Sequence, residues 1–250
     1  MGMELVLENA QDFRRSIDAI SVLIDEAEFV IDEKSLSLKA TDPSQISLVD
    51  YSLPKSAFKQ YKVDETRKIG VDLDYLAQIV SRAKPKDELQ LSLDEDGSRL
   101  NLVFKGESVR RFSIPLIDVS SSDIPAPKID FDASVKISAD VLQDGLKDAA
   151  LVSTHITVGV SDRDFYLRAS SSKGELNHVV SKKDKALVEL SVKKECNAMF
   201  PLDYLSDMLK AASANSHVEL ELKSNAPIRV SYSVGQAKIT YFLAPRIENP

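Results

Sequence analysis

Leu73-Asp74-Tyr75-Leu76 decides the fold because it occurs twice: Leu202-Asp203-Tyr204-Leu205 repeats it 129 residues further on. The same offset carries Leu36-Ser37-Leu38-Lys39-Ala40 to Phe165-Tyr166-Leu167-Arg168-Ala169, with apolar and polar positions in step. Glu88-Leu89-Gln90-Leu91 finds its counterpart in Val218-Glu219-Leu220-Glu221, at an offset of 130. A spacing held over this much of a chain marks an internal duplication. The 250 residues then divide into two domains of ordinary size and the same topology.

Working outward from Leu73, the apolar positions Leu73, Leu76, Val80 and Ala83 predict a helix over 73–83. Upstream, Phe13, Ile17, Ile20, Ile24 and Ala27 form one apolar stripe and predict a helix over 9–27, after a strand at 3–7. Strands are expected at 29–32, 35–40 and 46–53, with Asp42-Pro43-Ser44 turning between the last two. Two more, at 88–93 and 99–104, flank the hairpin signal Asp94-Glu95-Asp96-Gly97, and a strand at 108–116 closes the half. A helix over 139–152 matches the first helix of the chain.

Each half should therefore hold two helices and eight or nine strands, an α+β class. Two helices cannot cover both faces of so many strands. They must lie together on one side of curved antiparallel sheets. Their exposed faces carry Arg14, Arg15, Arg82, Lys147 and Lys210, diluted by Asp18, Asp74, Asp144 and Asp207. Ordinary solvated helices carry such mixtures too.

Between the halves the chain changes character. Residues 118–132 contain Ser120-Ser121-Ser122-Asp123-Ile124-Pro125-Ala126-Pro127, in which the prolines favour an extended path over regular structure. The expected division is an N-terminal domain over 1–117, a connector over 118–132 and a C-terminal domain over 133–250.

The net charge is −7. Nucleic-acid binders are usually basic, because phosphate neutralisation supplies most of their affinity. Contact with DNA here would need a local basic surface on an acidic body, and it would be weak. No apolar run approaches the roughly 18 residues of a membrane span, and no leader is apparent, so an intracellular protein without a membrane partner is expected. The lone Cys196 reads as a small buried hydrophobe.

No phosphate-cradling glycine motif is present, neither G-x-x-x-x-G-K-[ST] nor G-x-G-x-x-G, so no nucleotide cofactor is expected. His155, His178 and His217 have no metal-ligand spacing among themselves or with Cys196, so no metal site is expected. No G-x-S-x-G elbow supports a nucleophile, and nothing favours a two-domain hydrolase. The chain reads as a binding or scaffolding protein with no catalytic residues.

Its end admits two readings. Tyr241-Phe242-Leu243-Ala244-Pro245-Arg246-Ile247-Glu248 places the apolar residues within ten of the terminus, where chains usually fray unless tied down. Either Phe242 and Leu243 belong to the last core strand, or they line a groove kept open for a partner.

Taken together, several stretches carry a family likeness. They are Leu243-Ala244-Pro245-Arg246-Ile247-Glu248, the segment Asp42-x-Ser44-x-Ile46-Ser47-Leu48-Val49, and Pro115-Leu116-Ile117-Asp118 leading into Ile124-Pro125. With the two-domain repeat, they make the chain resemble the DNA polymerase sliding clamps of archaea and eukaryotes, the proliferating cell nuclear antigen (PCNA) family. The resemblance runs from Met3 to Glu248, and in lacking a long acidic tail the chain resembles archaeal members. An archaeal member implies a cytoplasmic, nucleoid-associated protein, a eukaryotic one a nuclear protein.

The resemblance implies a clamp fold, with three subunits forming a six-domain ring around double-stranded DNA and helices lining the hole. Arg14, Arg15, Arg82, Lys147 and Lys210 would face the DNA. At the subunit joint it implies a strand with Arg110, Arg111, Phe112 and Ile114 beside one with Leu176, His178 and Val180, with Glu175 a candidate acid for the arginines. It also implies a pocket for short partner peptides bearing a glutamine, an aliphatic residue and two aromatics. Ala40, Thr41, Gln45, Ile46 and Leu48 would form one wall, Ile124, Pro125 and Ile129 the linker wall, and Pro227, Phe242, Leu243, Ala244 and Pro245 the rest. Thr41 and Ser122 are smaller than the residues relatives often carry there. The partners implied are DNA polymerase, a clamp loader, a flap endonuclease and a DNA ligase. A homotrimer is the leading assembly; a subunit of a heterotrimeric or checkpoint and repair clamp is the alternative.

Overall fold

The computed structural model describes residues 2–119 and 124–247. In the first half the order is β1 (Met3–Leu7), α1 (Ala10–Ser21), β2 (Glu26–Ile31), β3 (Ser35–Thr41), β4 (Ser47–Pro54) and a single 3-10 turn (Lys55–Ala57). Then come β5 (Gln60–Val63), β6 (Arg67–Asp72), α2 (Leu73–Val80), β7 (Glu88–Leu93), β8 (Arg99–Lys105) and β9 (Val109–Pro115). The second half repeats the series: β10 (Ala133–Ser138), α3 (Ala139–Ala150), β11 (His155–Val160), β12 (Asp164–Ser171), β13 (Gly174–Ser181) and β14 (Leu187–Val192). It ends with β15 (Cys196–Pro201), α4 (Leu202–Leu209), β16 (His217–Leu222), β17 (Ile228–Val234) and β18 (Ala237–Leu243).

The duplication is topological as well as sequential. Strand order β5-β1-β7-β8-β9 recurs as β14-β10-β16-β17-β18, and β6-β2-β3-β4 recurs as β15-β11-β12-β13. Leu73 and Leu76 of the repeated tetrapeptide are buried, as are Leu202 and Leu205, while Asp74, Tyr75 and Asp203 are exposed. Helical spacing thus sends both leucines to the core, which burying each by about 1.5–3 kcal/mol favours. By contact the chain forms two compact units: 1–43, 49–125 and 233–239 in the first; 44–48, 126–232 and 240–250 in the second.

Two expected helices end early, for physical reasons. The first stops at Ser21, and Ala27 belongs to β2; over so short a stretch the burial of Ile24 and Ala27 fits either period. The helix from Leu73 stops at Val80, where the Arg82 and Ala83 N–H groups turn back to the Ile79 and Val80 carbonyls, and Pro85 disfavours any helical continuation at Lys84. Within the second unit, α3 lies so close to the sheet that a Cβ on Gly145 would stand 2.7 Å from Leu167 and 3.1 Å from the His178 ring. A side chain there would force the Leu167 tip and the His178 ring to move. Cys196 is buried, and burial followed by the Asp132 charge pushes its thiol up to about 11, so it stays protonated.

Candidate functional site

The two helices of each unit pack on one another. In the first unit Gln11 Nε2 donates to the Ala83 carbonyl at 2.5 Å. In the second, Gln143 Nε2 donates to the carbonyls of Leu209 and Ala212 at 2.9 and 3.0 Å. The outward faces are mixed in sign. Arg14 lies 3.6 Å from Asp18, Arg15 pairs with Asp12, Lys147 with Asp144 at 2.9 Å, and Lys210 with Asp207 at 2.5 Å. Such exposed pairs contribute up to about 1 kcal/mol each, and phosphates can compete for them.

Arg82 and Lys210 are not on helix faces. Arg82 follows the C-cap Ser81 of α2, and Lys210 is the C-cap of α4. Cations there also complement the negative helix end. Lys84 and Lys86 extend the exposed basic run beyond Arg82, and the alternation Arg82-x-Lys84-x-Lys86 was the sequence signal for them.

Among the described residues six strands have one neighbour, and β5 and β6 share that state with their counterparts β14 and β15. β9 and β13 differ from their counterparts: β9 has β8 alone beside it and β13 has β12 alone, whereas β18 and β4 are flanked on both sides. Unpaired edges of this kind are templates for another chain. The side chains proposed for that joint divide by strand alternation. Ile114 and Val180 belong to their own cores, while Phe112, Leu176 and His178 are half-buried. Phe112 packs edge-on against Phe104 at 5.8 Å, and His178 lies under Gly145. Arg110 is held inside its own unit by buried Asp87 and donates to the Arg82 carbonyl at 2.7 Å; Arg111 is exposed. The large apolar side chains exposed on these strands are Val109, 50% exposed, and Val179, 48% exposed. Period-two alternation on either strand was the signal for both.

The peptide-pocket residues fall in both units. In the first, Ala40 and Ile124 are half-buried, and Thr41 and Pro125 exposed. In the second, Leu48, Phe242 and Leu243 are buried, Leu243 completely, so they serve as core. Ile46, Ile129, Pro227, Ala244 and Pro245 are half-buried, and Gln45 is exposed with φ +58°. The Ala244 N–H donates to the Ile46 carbonyl at 2.8 Å and the Arg246 N–H to the Met199 carbonyl at 2.7 Å, which ties the chain end down. Ser122 and Glu248 lie outside the described residues.

Residues 2–124 match the PCNA N-terminal domain, and residues 125–247 match its C-terminal domain. The chain belongs to the PCNA family. A PCNA-family relative from Pyrococcus furiosus, a DNA polymerase sliding clamp, is 35% identical over 99% of this chain and 100% of its own. PCNA from Thermococcus kodakaraensis superposes with a TM-score of 0.93 at 26% identity, covering 98% of this chain and 100% of its own. The A. fulgidus PCNA, solved with the C-terminal region of FEN-1 bound, has a TM-score of 0.90 at 27% identity, covering 99% of this chain and 100% of its own.

Proposed function

We propose that this chain is a DNA polymerase sliding clamp: three copies close into a ring of six similar domains around double-stranded DNA. The domains are residues 1–117 and 133–250, joined by a connector at 118–132. The ring is a scaffold, not an enzyme. It tethers polymerase, flap endonuclease, DNA ligase and a clamp loader through short peptides, and it works on the archaeal nucleoid, as its archaeal relatives favour.

The observation that carries this reading is the pair of open edges on a duplicated domain. Pairing β9 of one copy with β13 of the next gives both strands the second neighbour that their counterparts already have. A head-to-tail contact of this sort closes into a ring when its rotation allows. The ring then holds DNA by enclosure, so an overall charge of −7 is no obstacle. Sparse cations, of which Arg14, Arg15, Lys147 and Lys210 are already shared with carboxylates, hold phosphates loosely enough to slide.

Partner peptides dock beside the chain end, where Gln45, Ile46, Pro227, Ala244 and Pro245 keep surface exposed. Their aromatic anchors supply most of the affinity.

Light scattering of the isolated protein at micromolar concentration should give three times the chain mass. The double variant Lys147→Glu, Lys210→Glu should keep that mass yet stimulate polymerase on primed circular DNA roughly tenfold less, with two phosphate contacts turned repulsive. Unchanged stimulation at moderate salt overturns the DNA-facing assignment, and a monomeric protein overturns the homotrimer.

A further inference from the structure

Alternate residues of β11, β12, β13 and β15 point away from the core of the second unit. With the chain end they line a groove of about 630 Å³. Its floor and walls include Arg168, Arg246, His155, Thr157 and Asn177, and Glu175 is the one carboxylate among the lining residues. The two guanidiniums are what set this groove apart. Arg14, Arg15, Arg67, Arg110 and Arg229 each have a carboxylate partner, but neither Arg168 nor Arg246 has one within ion-pair distance among the described residues, and these two face one concavity.

Both are nevertheless held in place. Arg168 stacks over Tyr166, 4.2 Å from the ring centroid, and its Nε donates to Asn177 Oδ1 at 3.2 Å. Stacking fixes the plane of a guanidinium while leaving its outer N–H groups free to donate. Arg246 Nη1 lies 3.2 and 3.3 Å from the two ring nitrogens of His155. Its backbone N–H is bound to the Met199 carbonyl, which positions it on the groove wall. Two oriented, uncompensated guanidiniums in one concavity match the bidentate geometry of carboxylates.

We propose that this groove is a carboxylate subsite that takes an acidic residue flanking the tethered partner peptide. The inference rests on the peptide-docking reading above. The occupant follows from continuity. Ala244, beside the docking surface, and Arg246, on the groove wall, are two residues apart on one extended segment anchored at Ile46 and Met199. A peptide lying along Ala244 and Pro245 needs only a few further residues, at about 3.3 Å each, to reach the guanidiniums. Its aromatic anchors give affinity; the carboxylate gives selection among partners.

Fluorescence anisotropy with the full-length protein tests this. The probes are labelled peptides with one glutamine, one aliphatic residue and two aromatics on a helical turn, carrying a Glu-Asp or a Gln-Asn pair at either end. One of the two acidic placements should bind about tenfold more tightly than its neutral match. Arg168→Gln should remove that gain and leave the neutral peptide unchanged. Arg168→Glu should favour a Lys-Lys flank instead, and 0.5 M salt should shrink the native gain.

Equal binding of acidic and neutral peptides at both ends overturns the subsite, as does a gain that survives in Arg168→Gln with Arg246→Gln. Failure of the neutral peptides to bind strikes the docking reading instead. In that case an Arg168-dependent capture of the acidic peptide still supports the groove, and no capture overturns both.

Discussion

The two halves of this molecule share a skeleton and differ in almost everything attached to it. Leu73 and Leu76 sit in the first core as Leu202 and Leu205 sit in the second. Yet Arg14 and Arg15 of α1 correspond, 129 residues on, to Gln143 and Asp144 of α3. Helix starts differ too. Asn9 Oδ1 accepts the Gln11 N–H at 3.0 Å and Asp72 Oδ1 the Tyr75 N–H at 2.8 Å, whereas Ser138 and Pro201 cap α3 and α4 with no side-chain bond. Each such cap contributes about 1 kcal/mol. The comparison teaches that buried positions hold the duplication, while exposed ones are free to divide the labour: the first half presents its open edge on β9, and the second presents β13 and the arginine groove.

The largest expected effect breaks the comparison at its open edges. Val109→Asp together with Val179→Asp places unpaired carboxylates on the large apolar side chains that are exposed on β9 and β13. Light scattering should show the trimer reduced to monomers at micromolar concentration, while circular dichroism stays native because both valines are exposed in the single chain. A trimer that survives would move the joint elsewhere.

A smaller effect probes the shared skeleton. Leu76→Ala and Leu205→Ala should each lower unfolding free energy by about 2–5 kcal/mol, and by similar amounts, since both leave cavities in equivalent cores. Chemical denaturation reads this directly. Costs that differ widely would show that the halves share a path but not a packing.

The smallest sharpens one turn. Asp32 accepts N–H bonds from Lys34 and Ser35, both at 2.8 Å, and these bonds lower its pKa below the usual 3.8. Its counterpart in the second half is Ser161. Because the folded pKa is depressed, the stabilisation is complete above the unfolded value near 3.8 and disappears as pH falls through the folded one. Asp32→Asn should therefore cost no more than about 1 kcal/mol at neutral pH, and the difference from the native chain should fade below about pH 4. A deficit that persists in acid would mean the charge is not what holds the turn.

Much of this was legible in the sequence, for identifiable reasons. The repeat was visible because buried leucines and alternating strands tolerate few substitutes. The end of α2 was overrun by three residues, because Ala83 keeps the apolar spacing past Val80, and the open faces of β9 and β13 were written in their alternation. What stayed hidden depended on contacts far apart in the chain. Nothing local marks Arg110 as satisfied by Asp87, 23 residues earlier, or Leu243 as wholly core. The arginine groove joins residues from four strands and the chain end, so no single stretch announces it. The pairs of Arg14 with Asp18, Lys147 with Asp144 and Lys210 with Asp207 lie one helical turn apart, so these were legible locally.

Gly70 has a consequence of its own. The Ile117 N–H donates to its carbonyl at 3.0 Å, and any Cβ at position 70 would collide with the Ile117 carbonyl oxygen. At the other side of the connector, the Asp132 N–H donates to Leu222 at 2.9 Å. Both moorings are made by main-chain atoms, so neither bond depends on which side chain residue 117 or 132 carries. A single methyl group at residue 70 would therefore unseat Ile117, and with it the place where the first half lets go of the chain.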